Sequence, residues 1–142
     1  MKEIKIRLWD KYCEKMIYPN EKSGLYLELN GKIVSPTSSL KTDGKLVPTG
    51  QMADMTEDYD KMQFTGLYDK NSKEIYDGDI VKSDTYIPKT MLVIGFVEFN
   101  KKRGSYQVNL GKQLHPLTDI NNNQLKYFEI IGNIYENKEL LK

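Results

Sequence analysis

Between Met62 and Val81 the chain reads Met-Gln-Phe-Thr-Gly-Leu-Tyr-Asp-Lys-Asn-Ser-Lys-Glu-Ile-Tyr-Asp-Gly-Asp-Ile-Val. Apolar and aromatic runs this short, set between turn residues, leave no room for a helix. The stretch reads as strand, turn, strand, tight glycine turn, strand. Asp69-Lys70-Asn71-Ser72 supplies side chains that bond their own backbone. Gly78, between Asp77 and Asp79, is the residue expected to take a positive φ. Asp77 and Asp79 raise a metal or acid/base role, against the simpler one of folding a carboxylate onto turn N–H groups. The simpler role is the better fit, because the EF-hand rhythm begun by Asp69 and Asn71 is broken at Lys73 and Tyr76.

The flanking sequence has the same character. Ile4, Ile6 and Leu8 alternate with Lys5 and Arg7 as in a half-buried strand, and Met16-Ile17-Tyr18 is its expected hairpin partner. Trp9 is expected to anchor the core, with Arg7 covering it. Leu25, Leu27 and Leu29 lead through Asn30-Gly31 to Ile33-Val34, a hairpin signal expected to form a type I′ turn. Ser35 to Ser39 reads as a loop. Asp43-Gly44 joins weak strands at Leu40 and Leu46-Val47, and Pro48-Thr49-Gly50 reads as a break. Residues 51–61 are polar and acidic, an expected linker; the alternative of a cation site at Asp54, Glu57, Asp58 and Asp60 is weaker than that of a solvated face.

Beyond Val81 the strand is expected to continue from Lys82 to Tyr86 and close at Ile87-Pro88. Met91 to Phe99 is apolar on both faces, as in a central strand, with Gly95 expected at a bulge or bend. Asn100 to Gly104 is a turn holding Lys101, Lys102 and Arg103. Tyr106, Val108 and Leu110 alternate with Gln107 and Asn109, which predicts an outer strand with one wet face. Thr118 to Asn123 reads equally as a brief helix or a loop. Leu125 to Ile131 is the last strand, kinked at Gly132-Asn133. Asn137 is placed to cap a short C-terminal helix, with Glu139 in its first turn.

The 142 residues suit one domain or two small ones. Ten Tyr against four Phe and one Trp indicate a thin core whose rings keep a polar tip wet. A formal net charge of +1 argues against a dedicated non-specific nucleic-acid binder. The charge is uneven: residues 51–80 hold three basic and eight acidic residues, and residues 81–142 nine and six. Cys13 and His115 are single residues of their types, so an internal disulfide and the multi-Cys zinc patterns are excluded. A lone His is a weak candidate for a ligand or general base. No P-loop, Gly-x-Ser-x-Gly elbow or His-Glu-x-x-His is present. No apolar run is long enough for a membrane span or signal peptide, so the expected location is the host cytoplasm.

Phe64-Thr65-Gly66-Leu67, the Asp-Lys-Asn turn at 69–71 and Glu74-Ile75-Tyr76-Asp77-Gly78-Asp79-Ile80-Val81 resemble the YopX family of phage and prophage proteins. So do Arg7-Leu8-Trp9-Asp10 with Met16, Val97-Glu98-Phe99, and the run from Ile130 through Asn137. Ser72 stands where the family usually has Gly, and Lys138 where Pro commonly follows Glu-Asn. The resemblance implies a phage-encoded protein whose family has no settled activity, and it brings no catalytic residues with it.

These readings converge on a mainly β (β-rich α+β) protein of short antiparallel sheets. Residues 1–50 are expected to form an N-terminal hairpin subdomain, 51–61 an acidic linker, and 62–142 a domain with a small SH3-like barrel and a short C-terminal helix. The expected function is a non-enzymatic, self-associating binding module with an unknown protein partner and no cofactor or metal. The alternative is nucleic-acid binding through Lys101, Lys102, Arg103 and Tyr106, which the near-zero net charge disfavours.

Overall fold

The computed structural model describes residues 4–19, 23–83, 92–111, 113–117, 120–121 and 123–142. The fold is mainly β: among these residues the strands run from β1 to β14, with two short 3-10 helices. The chain divides into two compact units, Ile6–Lys61 and Met62–Lys142 with Met1–Lys5.

In the first unit, β1 (Ile6–Asp10) pairs antiparallel with β2 (Lys15–Ile17), in the register Leu8↔Ile17 and Trp9↔Met16. The Asp10 carboxylate closes their turn by accepting from the N–H groups of Tyr12 (2.9 Å) and Cys13 (2.8 Å). The expected roles of Trp9 and Arg7 are exchanged: Arg7 is 6% exposed and Trp9 half-buried. Leu8, Leu25 and Ile33 form a small core with Ile6, Ile17, Met55 and Tyr59 against it.

Two hairpins of one design extend the unit. β3 (Tyr26–Leu27) pairs with β4 (Ile33–Leu40), and β4 with β5 (Leu46–Asp54). In the first loop Gly31 N–H donates to Glu28 O and Glu28 N–H to Lys32 O; in the second Gly44 N–H donates to Lys41 O and Lys41 N–H to Lys45 O, all at 2.9 Å. Each loop is closed by an Asx side chain: Asn30 Oδ1 accepts from Lys32 N–H and Asp43 Oδ1 from Lys45 N–H. Gly31 and Gly44 have φ of +86° and +81°, whereas Asn30 stays at negative φ. The Asn30-Gly31 turn is therefore a three-residue loop ending in a glycine bulge rather than the expected type I′ turn.

Ser35–Ser39 and Pro48–Gly50, read as a loop and a break, lie inside β4 and β5. A register shift between Pro36 and Ser38 absorbs the irregularity. Residues 51–61, expected as a linker, hold the end of β5, a 3-10 turn η1 (Thr56–Asp58) and the start of β6 (Tyr59–Tyr68).

In the second unit β6 pairs with β7 (Glu74–Tyr76) and with β13 (Gln124–Leu125), which pairs in turn with β12 (Ile120–Asn121). A five-stranded sheet runs β11 (Leu114–Pro116), β10 (Ser105–Asn109), β9 (Val93–Asn100), β8 (Asp79–Ser83) and β14 (Glu129–Asn133). β9 is its middle strand, as expected of Met91–Phe99. The order is open at β11 and β14 among the described residues. Ile75, Val81, Val97, Val108, Leu125 and Phe128 form the core.

Gly95 is explained by close approach and not by a bulge. Pairing with β8 and β10 is regular on either side of it, and a Cβ there would lie 2.4 Å from Asn109 O. The last strand is broken: Lys126 to Phe128 leave it so that Phe128 enters the core, and Phe128 O accepts from Lys70 N–H. The C-terminal helix is a single 3-10 stretch, η2 (Lys138–Leu141), and Asn137 makes no side-chain cap to it. The strand end expected at 84–88 and the Thr118 cap lie outside the described residues.

Candidate functional site

The polar residues of the central stretch converge on backbone. Asp69 is fully buried. Its Oδ1 accepts from Asn71 N–H (2.8 Å) and Lys73 N–H (2.9 Å), and its Oδ2 from Ile130 N–H (3.0 Å), which ties the turn to β14. Asp79, 1% exposed, accepts from Tyr76 N–H at 2.8 Å across the turn at Gly78, whose φ is +84°. Gly78 itself donates to Val97 O and accepts from Ile134 N–H. Thr65 Oγ1 donates to Ile75 O and accepts from Leu67 N–H. Among the described residues no group of three His, Cys, Asp or Glu is placed to hold a metal ion.

The C-terminal run folds on the same plan. Asn133 Oδ1 accepts from Tyr135 and Glu136 N–H, both at 3.0 Å, and its Nδ2 donates to Glu136 Oε2 at 2.8 Å. Asn137, expected to cap the helix, instead accepts from Asn133 N–H, and its side chain fills the space over Gly132.

The residues singled out for nucleic acid sit at one end of the β9–β10 hairpin. Lys101, Lys102 and Arg103 are exposed on its tip, where Asn100 Oδ1 accepts from the N–H groups of Lys102 and Arg103. Tyr106 lies inboard of them. Its ring packs on the core, edge-on to Phe99 at 5.2 Å, and burial raises its phenol pKa. The tip thus offers cations, while Tyr106 gives much of its ring to the core. His115 is half-buried, its Nδ1 2.7 Å from Pro116 O and its ring 6.0 Å from Phe128.

Two features escaped the sequence reading. The face of β10 expected to be wet carries a polar network: Glu98 Oε1 accepts from Gln107 Nε2 (3.0 Å) and Asn109 Nδ2 (3.2 Å), and Asn100 Nδ2 donates to Gln107 Oε1 (2.9 Å). Gln107 is only 5% exposed.

The second is the β4–β5 ribbon. Strand alternation places Pro36, Ser38 and Leu40 on one face with Leu46, Pro48 and Met52. Leu40 is 72% exposed, Leu46 70% and Met52 48%. The opposite face carries Ser35, Thr37, Ser39, Thr49 and Gln51. The more apolar face is the one left in solvent, the reverse of normal patterning. The alternating signal was present but was masked by the Pro and Ser content of residues 35–39.

Residues 5–142 match the family described as YopX protein. The chain is also similar to the crystal structure of protein EF1440 from Enterococcus faecalis, with 25% identity, a TM-score of 0.60 and 100% of both chains covered. No match is found among curated proteins.

Proposed function

This chain belongs to the YopX family, and we propose that it is a non-enzymatic phage accessory protein of the host cytoplasm that self-associates and binds a protein partner. The observation that carries this reading is the apolar surface of the first unit. Tyr26, Leu27, Leu29, Leu40, Leu46 and Met52 are between 41% and 109% exposed. Apolar surface that recurs along one ribbon is what a binding surface supplies.

The non-enzymatic part rests on how the buried carboxylates are used. Asp69 and Asp79 hold turn N–H groups, so they serve the backbone. The SH3-like barrel expected for residues 62–136 belongs to the same reading, supported by the tight coiling at Gly95. No helix of the described residues is long and apolar enough to cross a membrane.

Sedimentation velocity over a concentration series tests the reading. A rising weight-average mass is expected, and a monomer at every concentration removes it. The alternative, nucleic-acid binding, is favoured only by the three exposed cations of the β9–β10 tip. It requires salt-sensitive binding to DNA or RNA that is lost when Lys101, Lys102 and Arg103 are replaced by Ala.

A further inference from the structure

The backbone of the β4–β5 ribbon shows how a partner must approach. Lys41 N–H donates to Lys45 O, and Met55 N–H donates to Ile33 O. Counting inward from either end, Leu40↔Leu46, Ser38↔Pro48 and Pro36↔Met52 are non-hydrogen-bonded pairs. Their backbone groups point away from the facing strand, toward the two open edges. Pro36 therefore sits on the edge of β4 that β3 leaves uncovered, since β3 pairs only with Ile33 and Val34. Pro48 sits on the outer edge of β5. Each edge lacks a donor where an added strand would need one, a known block to edge pairing. Pro116 faces outward from β11 by the same count, because Leu110 N–H donates to Gln113 O and Gln107 pairs with Pro116.

Edge-on association is thus obstructed, while the Leu40, Leu46, Pro48 and Met52 face stays open. We propose that this face is the self-association surface, and that a second copy of the same face stacks on it as sheet on sheet. The proposal rests on the self-association reading above and names its surface.

Two features of the ribbon favour a second copy. The face carries no charge between Leu40 and Met52, so two copies meet without repulsion. The charges lie at the ends, with Lys41 and Lys45 at the tip, and with Glu57 and Asp58 at the base beyond the pairs Lys32–Asp54 (3.5 Å) and Lys11–Asp60 (3.4 Å). Face-to-face stacking has two two-fold solutions. An axis along the ribbon brings four lysines together at one tip. An axis across it lays each basic tip over the other copy's acidic base, and charge selects this one. Leu46 of one copy then lies over Met52 of the other, and Leu40 over Pro36.

β5 has nine residues, and at about 3.4 Å per residue and about 4.8 Å between strands the face measures roughly 300 Å² per copy. That is well below the roughly 800 Å² per partner of a standard interface. The dimer is therefore reversible, and visible as a concentration dependence.

The test compares the intact chain with a Leu40→Lys/Leu46→Lys variant and a Ser39→Lys control on the opposite face, all by sedimentation velocity with thermal melts alongside. The wild type and S39K are expected to dimerise, and the double variant to lose at least tenfold in association with an unchanged melting temperature. A wild type that is monomeric throughout overturns both this inference and the function it rests on. A wild-type dimer that survives in the folded double variant overturns this inference alone. Should the double variant misfold, single cysteine variants in a Cys13→Ser background decide. Mixed Leu46→Cys and Met52→Cys chains are expected to cross-link at least tenfold faster than mixed Leu40→Cys and Leu46→Cys chains. Equal or reversed rates overturn the arrangement.

Discussion

The turns around Asp69 and the turns of the β4–β5 ribbon use the same side-chain chemistry at different range. Asp43 closes its loop by accepting from Lys45, two residues on, in open solvent. Asp69 is buried and binds its own turn together with Ile130, which is 61 residues away. A local brace fixes a hairpin and leaves its faces free. A long-range brace fixes the topology and uses up the carboxylate. The residues that resemble the family lie on braces of this second kind (Asp69, Asp79, Asn133, Asn137), so that fingerprint reads out architecture. The ribbon is where surface remains available for contact.

The largest expected contrast comes from removing one brace of each kind. Asp69→Ala leaves three donors without their acceptor, at about 1–3 kcal/mol for each group that stays buried. Urea unfolding should register a loss of at least about 3 kcal/mol, while Asp43→Ala should cost less than about 1 kcal/mol. Similar losses would break the distinction.

Glycine substitutions sharpen it next. Gly95→Ala drives a Cβ into Asn109 O and Leu110, an overpacking expected to cost about 1–3 kcal/mol or more. Gly44→Ala meets nothing within 4 Å and pays only for its φ of +81°, about 1–2 kcal/mol. A smaller loss at Gly95 than at Gly44 would show that β9 and β10 relax.

Smaller still is a predicted gain. Ser72 takes φ +64° where the family usually has Gly. Ser72→Gly should therefore stabilise the second unit by up to about 1 kcal/mol, reduced by the loss of the contact from Gln124 Nε2 to Ser72 Oγ (3.2 Å). A destabilised variant would mean that this contact outweighs the strain.

The smallest effect is acidic. Glu74 is held below the ordinary carboxylate range by its bond from Lys5, Glu129 by Lys70, Asp10 by the Cys13 N–H and Asp54 by Thr56. A depressed folded pKa contributes stability above the unfolded value, about 4, and that contribution is lost as pH falls through the folded value. The melting temperature should hold from pH 7 to about 5 and decline below about 4. Glu129→Gln should flatten that decline, and an unchanged acid limb would exclude Glu129 as a contributor.

Much of this was legible in the chain, and the misses have physical causes. Asn30-Gly31 and Asp43-Gly44 announced their hairpins, but not the loop geometry. There the Asx side chain bonds two residues on and leaves only the glycine at positive φ. Residues 35–39 read as a loop because proline and serine weigh against strands, yet Pro36 is tolerated where its missing donor faces an open edge. Arg7 reads as surface by type but is buried. Asp69 was legible as a turn residue; its bond to Ile130 was not, because nothing local in sequence encodes a contact at that separation. The apolar ribbon face could be found only once both strands and their register were known.

Hydrogen exchange on the intact chain, at high and low protein concentration, compares the two regions in one experiment. The account predicts that dilution speeds exchange within residues 34–54 and leaves the turns at Asp69, Asp79 and Asn133 unchanged. Exchange in the ribbon that ignores concentration, or dilution effects centred on those turns, would contradict it.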